Sequence, residues 1–367
     1  MRKMKIGFVG VGAISGIYLQ NLTRLFKEVE VVGVCDLIRE RAERAVEEYG
    51  IPRLYEDMYE LFGDDEVDIV LNITRPDEHY AVTKAALMAG KHVYSEKPLA
   101  STPELGAELV KLAADKGLVL GGAPDTFLGA AVQTARKMID RGFIGDVVSA
   151  AGFMKCRGHE SWHPDPEFYY KRGGGPMLDM GPYYVTAMVN LLGSVTWTTS
   201  MSRITYPERT ITSEPHRGEV IKVDVPTHVA GIMEFENGAI GTLLTSFDIY
   251  PTECRDFIEV YGTEGTMIVP DPNNFGGKIR VTRGGEWEEH DLEFDYSENS
   301  RGLGLADFAN AVRDGRTPRA NCQLTYHALE VMTALNNADH VREHVKIKSR
   351  YDRTAPMCVG LPEGILD

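Results

Sequence analysis

Three groups of residues have the types and spacing to do chemistry. The first is Gly10-Val11-Gly12-Ala13-Ile14-Ser15-Gly16, a glycine turn that follows the apolar run of residues 5–9 (KIGFV). Between a strand and a helix, the first glycine permits the tight bend and the second lets backbone N–H groups approach a pyrophosphate at the positive helix N-terminus. Ser15 stands where a third glycine is usual, and is small enough for close helix packing. Asp36 closes the second apolar run, 21 residues after Ser15, near the ~20-residue spacing of a carboxylate that holds an adenosine ribose hydroxyl. It would repel a 2′-phosphate, which favours NAD over NADP, with Arg39 and Arg41 softening that repulsion. The other reading of Asp36 is a strand-end cap with no ligand.

The second group is Ser95-Glu96-Lys97-Pro98, at the carboxyl edge of a fourth apolar run, where open α/β sheets bind ligands. A lysine shielded there from bulk water is a usable proton donor and acceptor for a hydroxyl or carbonyl. The third is His159-Glu160-Ser161-Trp162-His163, which fits the HExxH zinc pattern letter for letter. Metal chemistry needs both histidines on one helical face, and Pro164 pushes His163 away from helical geometry, so no metal site is expected. With Gly158 before it and Pro166 after, the stretch reads as a loop. Together with Tyr169, Tyr170, Lys171 and Arg172, it is expected to line a substrate pocket, because aromatic rings offer stacking surface while charged groups take hydroxyls. The tyrosines also suit core or interface positions.

These groups need elements to position them. Short apolar runs at 5–9, 30–35, 68–72, 92–95 and 118–121 suit strands buried on both faces, and helical spacing at 13–26, 39–49, 78–89 and 103–116 separates them. That alternation means a parallel sheet covered by helices. Ser101-Thr102-Pro103-Glu104 is a capping box for the helix that closes at Lys116-Gly117. From about residue 147 the runs become longer and β-branched: 147–156, 196–206, 227–236, 239–248, 254–262 and 278–283. Asn237-Gly238 signals a type I′ hairpin, so this half should carry a mostly antiparallel sheet. Helices at 128–141, 181–192, 303–314 and 324–342 would cover one face, leaving the other as a homo-oligomer interface.

The chain's 367 residues suit two domains. Acidic residues number 54 against 39 basic, a net charge of −15 that disfavours nucleic acid and anionic membranes as partners and leaves small-molecule chemistry. No apolar run reaches the ~18 residues a membrane helix needs. Five cysteines, an odd number without CxxC spacing, suit a reducing cytoplasm.

The glycine turn, Thr74-Arg75-Pro76 with His79, Glu96-Lys97-Pro98, Gly173-Gly174-Gly175 with Asp179-Met180-Gly181, and Gly262-Thr263-Glu264-Gly265-Thr266 occur in an order and spacing that resembles the Gfo/Idh/MocA oxidoreductases. The likeness covers residues 4–345. It implies an α/β protein: an N-terminal Rossmann domain with a doubly wound parallel sheet (1–125), a C-terminal α+β domain with an open, mostly antiparallel sheet (126–345), and a tail (346–367). It also implies a nicotinamide cofactor and hydride transfer at a secondary hydroxyl of a sugar, glycoside or cyclitol. By motif, Gly10, Gly12, Ala13, Ile14, Ser15, Asp36, Thr74, Pro76, His79, Glu96 and Lys97 would attend the cofactor. Lys97 would be the catalytic lysine and Asp179 the aspartate that orients the reacting hydroxyls.

One position departs from the family pattern. Four residues after Asp179, where the family often has histidine, stands Tyr183, a weak base that can still donate a hydrogen bond. Lys97 then carries more of the proton transfer, or a nearby histidine such as His163 helps. Asp125, with Thr126 and Phe127 at the entry to the second domain, is expected near nicotinamide or substrate. The Ala123–Gly129 and Gly175–Tyr184 segments look like a bacterial branch, some of whose members oxidise the C3 hydroxyl of glucosides. Two other uses of the same residues stay open: a glycosidase working through transient C3 oxidation, and a dinucleotide-binding sensor without turnover.

Overall fold

The computed structural model describes residues 2–250, 257–341 and 343–367. These divide into two compact units, Met1–Gln133 with Glu293–Leu329 and Thr354–Asp367, and Thr134–Leu292 with Glu330–Arg353.

The first unit opens with β1 (Met4–Val9), α1 (Ser15–Arg24), β2 (Val29–Cys35), α2 (Arg39–Tyr49), β3 (Arg53–Leu54), α3 (Met58–Gly63), β4 (Ile69–Asn72), α4 (His79–Met88), β5 (His92–Ser95), α5 (Pro103–Asp115) and β6 (Leu120–Gly122). All six strands run parallel in the order β3-β2-β1-β4-β5-β6, the doubly wound arrangement that places ligands beyond the carboxyl ends of β1, β2, β4 and β5. The predicted strands and helices stand within a few residues of these bounds. The short β3 and α3 were not foreseen; α3 forms because the Asp57 side chain accepts from the Tyr59 and Glu60 N–H groups at 2.8 and 2.9 Å. The cap of α5 is Thr102, whose hydroxyl accepts from Leu105 N–H at 3.4 Å.

The consecutive division at residue 125 gives way to one in which the chain returns. Residues 293–329 and 354–367 return to the first unit: Gly302 N–H donates to Asp125 at 2.8 Å, Asn21 donates to Asn299 O at 3.0 Å, and Leu366 N–H donates to Glu28 at 2.8 Å, while Arg319 joins the two segments by pairing with Asp307 and Asp367. Neither the tail nor the last helical region therefore forms a body of its own.

The second unit holds most of α6 (Ala130–Asp140), then β7 (Val147–Lys155), α7 (Pro176–Asp179), α8 (Gly181–Leu192), β8 (Val195–Arg203), a small antiparallel pair β9 (Glu208–Thr210) and β10 (Val220–Lys222), and β11 (His228–Phe235) and β12 (Ile240–Ser246). There follow β13 (Ile258–Gly262), β14 (Thr266–Val269), β15 (Ile279–Thr282), β16 (Glu288–His290), the first unit's α9 (Leu303–Asp314), α10 (Cys322–Val341) and β17 (Val345–Lys346). Nine strands pair in the order β16-β15-β14-β13-β7-β12-β11-β8-β17, antiparallel except for β7 with β12. Of the expected strand at 254–262, residues 254–256, and Cys254 with them, lie outside the described residues.

The β11–β12 hairpin forms, though not through a type I′ turn. Gly238 alone takes a positive φ of 85°, its N–H donates to Phe235 O at 2.9 Å, and Phe235 N–H donates to Ala239 O at 2.9 Å. A three-residue loop with a glycine bulge replaces the two-residue turn, since Asn237 stays at negative φ. One face of the sheet packs under α8 and α10, where Gly152 and Gly231 leave room for Met188 and Leu335. The opposite face exposes Trp197, Met201, Ile232 and Ile240.

Candidate functional site

In the first unit, β1 runs into the glycine turn. Gly10 has φ 95°, and a Cβ there would lie 2.7 Å from Ile73 O, so only glycine fits. A Cβ at Gly12 would meet nothing within 4 Å; the turn faces open space there. Helix α1 begins with no side-chain cap and no acidic residue in its first turn, leaving its N-terminal N–H groups for an anion. Ser15 is buried with its hydroxyl on Gly12 O at 2.7 Å, which tightens the turn where a third glycine is usual, while Ile14 is exposed beside it. Asp36 accepts from Val11 N–H at 2.5 Å and Ile38 N–H at 2.7 Å, so its carboxylate ties the end of β2 to the turn. Turn, bare helix end and carboxylate together suit a dinucleotide's pyrophosphate and ribose. Arg39 is drawn away by Glu43 at 2.9 Å and Glu56 at 2.7 Å, whereas Arg41, with Arg44, lines a hollow of about 460 Å³ beside the turn.

Beyond β4, Thr74 is held by the Asn72 amide oxygen, which accepts from its hydroxyl at 2.7 Å, and Pro76 starts a short 3₁₀ turn. His79 is buried with both ring nitrogens on backbone carbonyls, Pro98 O at 2.8 Å and Thr74 O at 3.1 Å. Burial pushes its pKa down, against the two carbonyl contacts. It clamps the loop after β4 to the loop after β5. Glu96 likewise acts inside the protein, accepting from the Tyr18 hydroxyl at 2.8 Å and from Lys97 N–H at 2.9 Å. It fixes the backbone that presents Lys97 and joins it to the helix of the glycine turn. Lys97 itself is half-buried.

Asp125 is 1 % exposed, and its carboxylate accepts from Gly302 N–H at 2.8 Å and Gly304 N–H at 3.0 Å, the N-terminus of α9. Burial pushes its pKa up to about 6 against those two bonds. In the structure it caps the N-terminus of a returning helix.

The second unit assembles the other group. The HExxH stretch is a turn, with Trp162 and His163 N–H groups both donating to His159 O, at 3.2 and 3.0 Å. Glu160 serves the fold: Arg209 pairs with it at 2.7 Å, and the Tyr170 hydroxyl donates a short hydrogen bond to it. Burial alone would raise this carboxyl, but those donors outweigh it and hold it below the usual range. Arg209 also pairs closely with Asp248. Gly158, at φ 94°, lies against Glu160, Tyr170 and Arg209, where any Cβ would collide.

Around this anchor, rings gather. His159 stands 4.0 Å from Tyr169, 4.5 Å from Phe247 and 5.3 Å from Trp162, centre to centre, and its Nε2 lies 3.6 Å from Asp179 Oδ2. His163 is 5.3 Å from both Trp162 and Tyr169, and its Nδ1 accepts from Asp165 N–H at 3.0 Å. Trp162 is 61 % exposed at the rim. Asp179 arrives there on α7, after Gly174 and Gly175, whose missing side chains let the chain pass against Tyr169 O and Pro226 O. Tyr183 follows on α8, half-buried. Arg172 is exposed, and Lys171 pairs with Asp224 at 3.0 Å. Sequence reasoning overlooked His159, Tyr18, Asn72 and Arg209. Only His159 carried a signal, as a letter of the motif set aside.

Comparison with known proteins agrees with this layout. The family model for the oxidoreductase family with an NAD-binding Rossmann fold matches residues 4–122, and that for the GFO/IDH/MocA C-terminal domain matches residues 132–268. Inositol 2-dehydrogenase/D-chiro-inositol 3-dehydrogenase of Lactiplantibacillus plantarum is 34 % identical over 153 residues, a match that spans 41 % of its length and 38 % of this chain. The scyllo-inositol 2-dehydrogenase (NAD(+)) of Bacillus subtilis is 26 % identical over 86 % of this chain and 88 % of its own. D-glucoside 3-dehydrogenase of Escherichia coli is 27 % identical over 66 % of this chain and 70 % of its own. The crystal structure of an NAD binding oxidoreductase from Klebsiella pneumoniae shares the fold, with a TM-score of 0.81 over 95 % of this chain and all of that one, at 23 % identity. With both family models matched in order along the chain, the protein belongs to the Gfo/Idh/MocA oxidoreductase family, and its first unit is that family's NAD-binding Rossmann domain.

Proposed function

We propose that this protein oxidises a secondary hydroxyl of a sugar, glycoside or cyclitol with NAD. The observation that carries the proposal is the pairing, in one chain, of an uncapped glycine turn with a half-buried lysine whose backbone is held by Glu96. Bound NAD supplies the hydride acceptor. Lys97 takes the hydroxyl proton as the alcohol becomes a ketone, Asp179 and Tyr183 hold neighbouring hydroxyls, and Trp162 and Tyr169 offer stacking surface to the sugar ring. His163, its Nδ1 already accepting from Asp165 N–H, lends its ring edge to the same pocket. Oxidation at C3 is the preferred form, supported by the likeness to D-glucoside 3-dehydrogenase.

The exposed apolar face of the nine-stranded sheet supports a homo-oligomer built through that face, since Met201 at 77 % and Ile240 at 55 % exposure would otherwise stand in water. A reducing cytoplasm fits the free thiols of Cys35, Cys156, Cys322 and Cys358. The test is a panel of polyols and glycosides with NAD, read by nicotinamide absorbance and by a product lighter by two hydrogens. A keto sugar with its glycosidic bond intact supports the reading. Release of free aglycone from an aryl glucoside would replace it with the glycosidase, and binding of NAD without turnover on the whole panel would replace it with a sensor.

A further inference from the structure

His159 has both ring nitrogens buried and without a hydrogen-bond partner, in a residue only 8 % exposed. Leaving a buried polar group unpaired is costly, and native proteins keep such groups where something compensates. The rest of the residue is fully used: its N–H donates to the Tyr170 hydroxyl at 3.1 Å, and its carbonyl accepts from Trp162 and His163. The ring alone is left in suspense. The surrounding structure gives it no freedom to seek water, because Tyr169, Phe247 and Trp162 box it in, and Gly158 with the Arg209–Glu160 pair fixes the backbone beneath it. Its Nε2 lies 3.6 Å from Asp179 Oδ2, just beyond hydrogen-bond reach. Catalytic hydrogen bonds are often long before substrate arrives and tighten in the complex.

We infer that His159 is the positioning residue for Asp179. Its Nε2–H closes onto the carboxylate when a substrate hydroxyl engages Asp179, fixing the carboxylate's orientation toward that hydroxyl. His163 has its Nδ1 on the Asp165 backbone, whereas both ring nitrogens of His159 are buried without a partner. The inference rests on the dehydrogenase reading of the same site and deepens it by naming what stands in for the histidine missing at position 183.

The experiment compares wild type with His159→Gln, which keeps an N–H close to the Nε2 position, and His159→Leu, which fills similar space without one. All three proteins are assayed with NAD and D-glucose, myo-inositol or methyl β-D-glucopyranoside, and melted to confirm folding. Misplacing a reacting group by an ångström costs up to about 10²-fold, so His159→Leu should lose about that much in kcat with the KM for NAD unchanged. His159→Gln should regain much of the loss. A purely structural histidine predicts otherwise: leucine, free of unpaired nitrogens, would melt no lower and turn over as wild type.

An independent readout is the ¹⁵N signal of the His159 ring in the NADH-bound wild-type protein, assigned by its disappearance in His159→Gln. A shift on adding one of the three sugars supports the inference, and an unmoved signal with all three overturns it. Wild-type kcat in His159→Leu, or equal losses in Leu and Gln, also overturns it. If no sugar is oxidised yet the ring signal moves, the oxidation reading falls while the His159–Asp179 pairing stands.

Discussion

The two units differ in how their polar groups are satisfied. In the first, the side chains nearest the ligand-binding edge are spent on the protein itself: Asp36 on two backbone N–H groups, His79 on two carbonyls, Glu96 on Tyr18 and the Lys97 backbone. In the second, a ring cluster surrounds a histidine with no bonds to its nitrogens, and Trp162 stands open at the rim. A cofactor that is the same in every turnover is met by rigid backbone, so side chains can be committed to shaping that backbone. A substrate is met by side chains, and these must keep hydrogen-bonding capacity in reserve until it arrives.

The largest expected effect tests whether one side chain on the rigid side does chemistry. Lys97→Ala should lower kcat by about 10²–10⁴-fold while NADH affinity changes little, because a general base is removed and the turn is not; unchanged turnover would move proton transfer into the second unit. Next is Gly10→Val, which forces a side chain into φ 95° against Ile73 O. Strain of this kind costs about 1–3 kcal/mol, so NADH binding measured by fluorescence should weaken roughly tenfold to a hundredfold. Normal binding would mean the turn is not the cradle. Asp36→Ala should weaken NADH by about tenfold and narrow the preference over NADPH, since both a ribose partner and the tie to Val11 are lost; an NADH-to-NADPH ratio that stays put would return Asp36 to a strand-end cap.

The smallest effect concerns Asp125, whose folded-state pKa of about 6 lies above its unfolded value near 3.8. The folded protein holds a proton that the unfolded chain releases, so this residue's contribution is fully present below pH ~4 and is lost as pH rises through 6. Asp125→Asn keeps an oxygen for Gly302 and Gly304 but cannot ionise. Its melting temperature relative to wild type should therefore be higher at pH 7 than at pH 4. A gap independent of pH would show that the carboxylate stays ionised and acts as a charged helix cap.

Much of the frame was legible because periodicity is local. Helices α2, α8 and α9 follow runs whose apolar spacing marks both ends, and β1, β2, β4 and β5 are apolar on both faces. The glycine turn was legible for the same reason, since its geometry is set by its own residues. The return of residues 293–329 and 354–367 to the first unit was not, because it depends on partners far apart in sequence, Asp125 with Gly302 and Gly304, Asn21 with Asn299, and Glu28 with Leu366. Long-range pairing also decided the individual roles. Asp125 and His79 stood where ligands bind, yet each found backbone partners at the N-terminus of α9 or in the loop after β5. His159 and His163 look equivalent in HExxH, and only Arg209, 50 and 46 residues onward, with Gly158, decides which ring is turned in toward Asp179.

The central claim is that hydride leaves a sugar carbon for NAD in this protein. A glycoside or cyclitol found active in the panel can be prepared with deuterium on the carbon that becomes the ketone, then incubated with the protein and NAD, and the NADH weighed by mass spectrometry. The account predicts one deuterium in every NADH formed and none in the keto product at that carbon. NADH without deuterium, or a keto product formed while NAD stays oxidised and unlabelled, would contradict it.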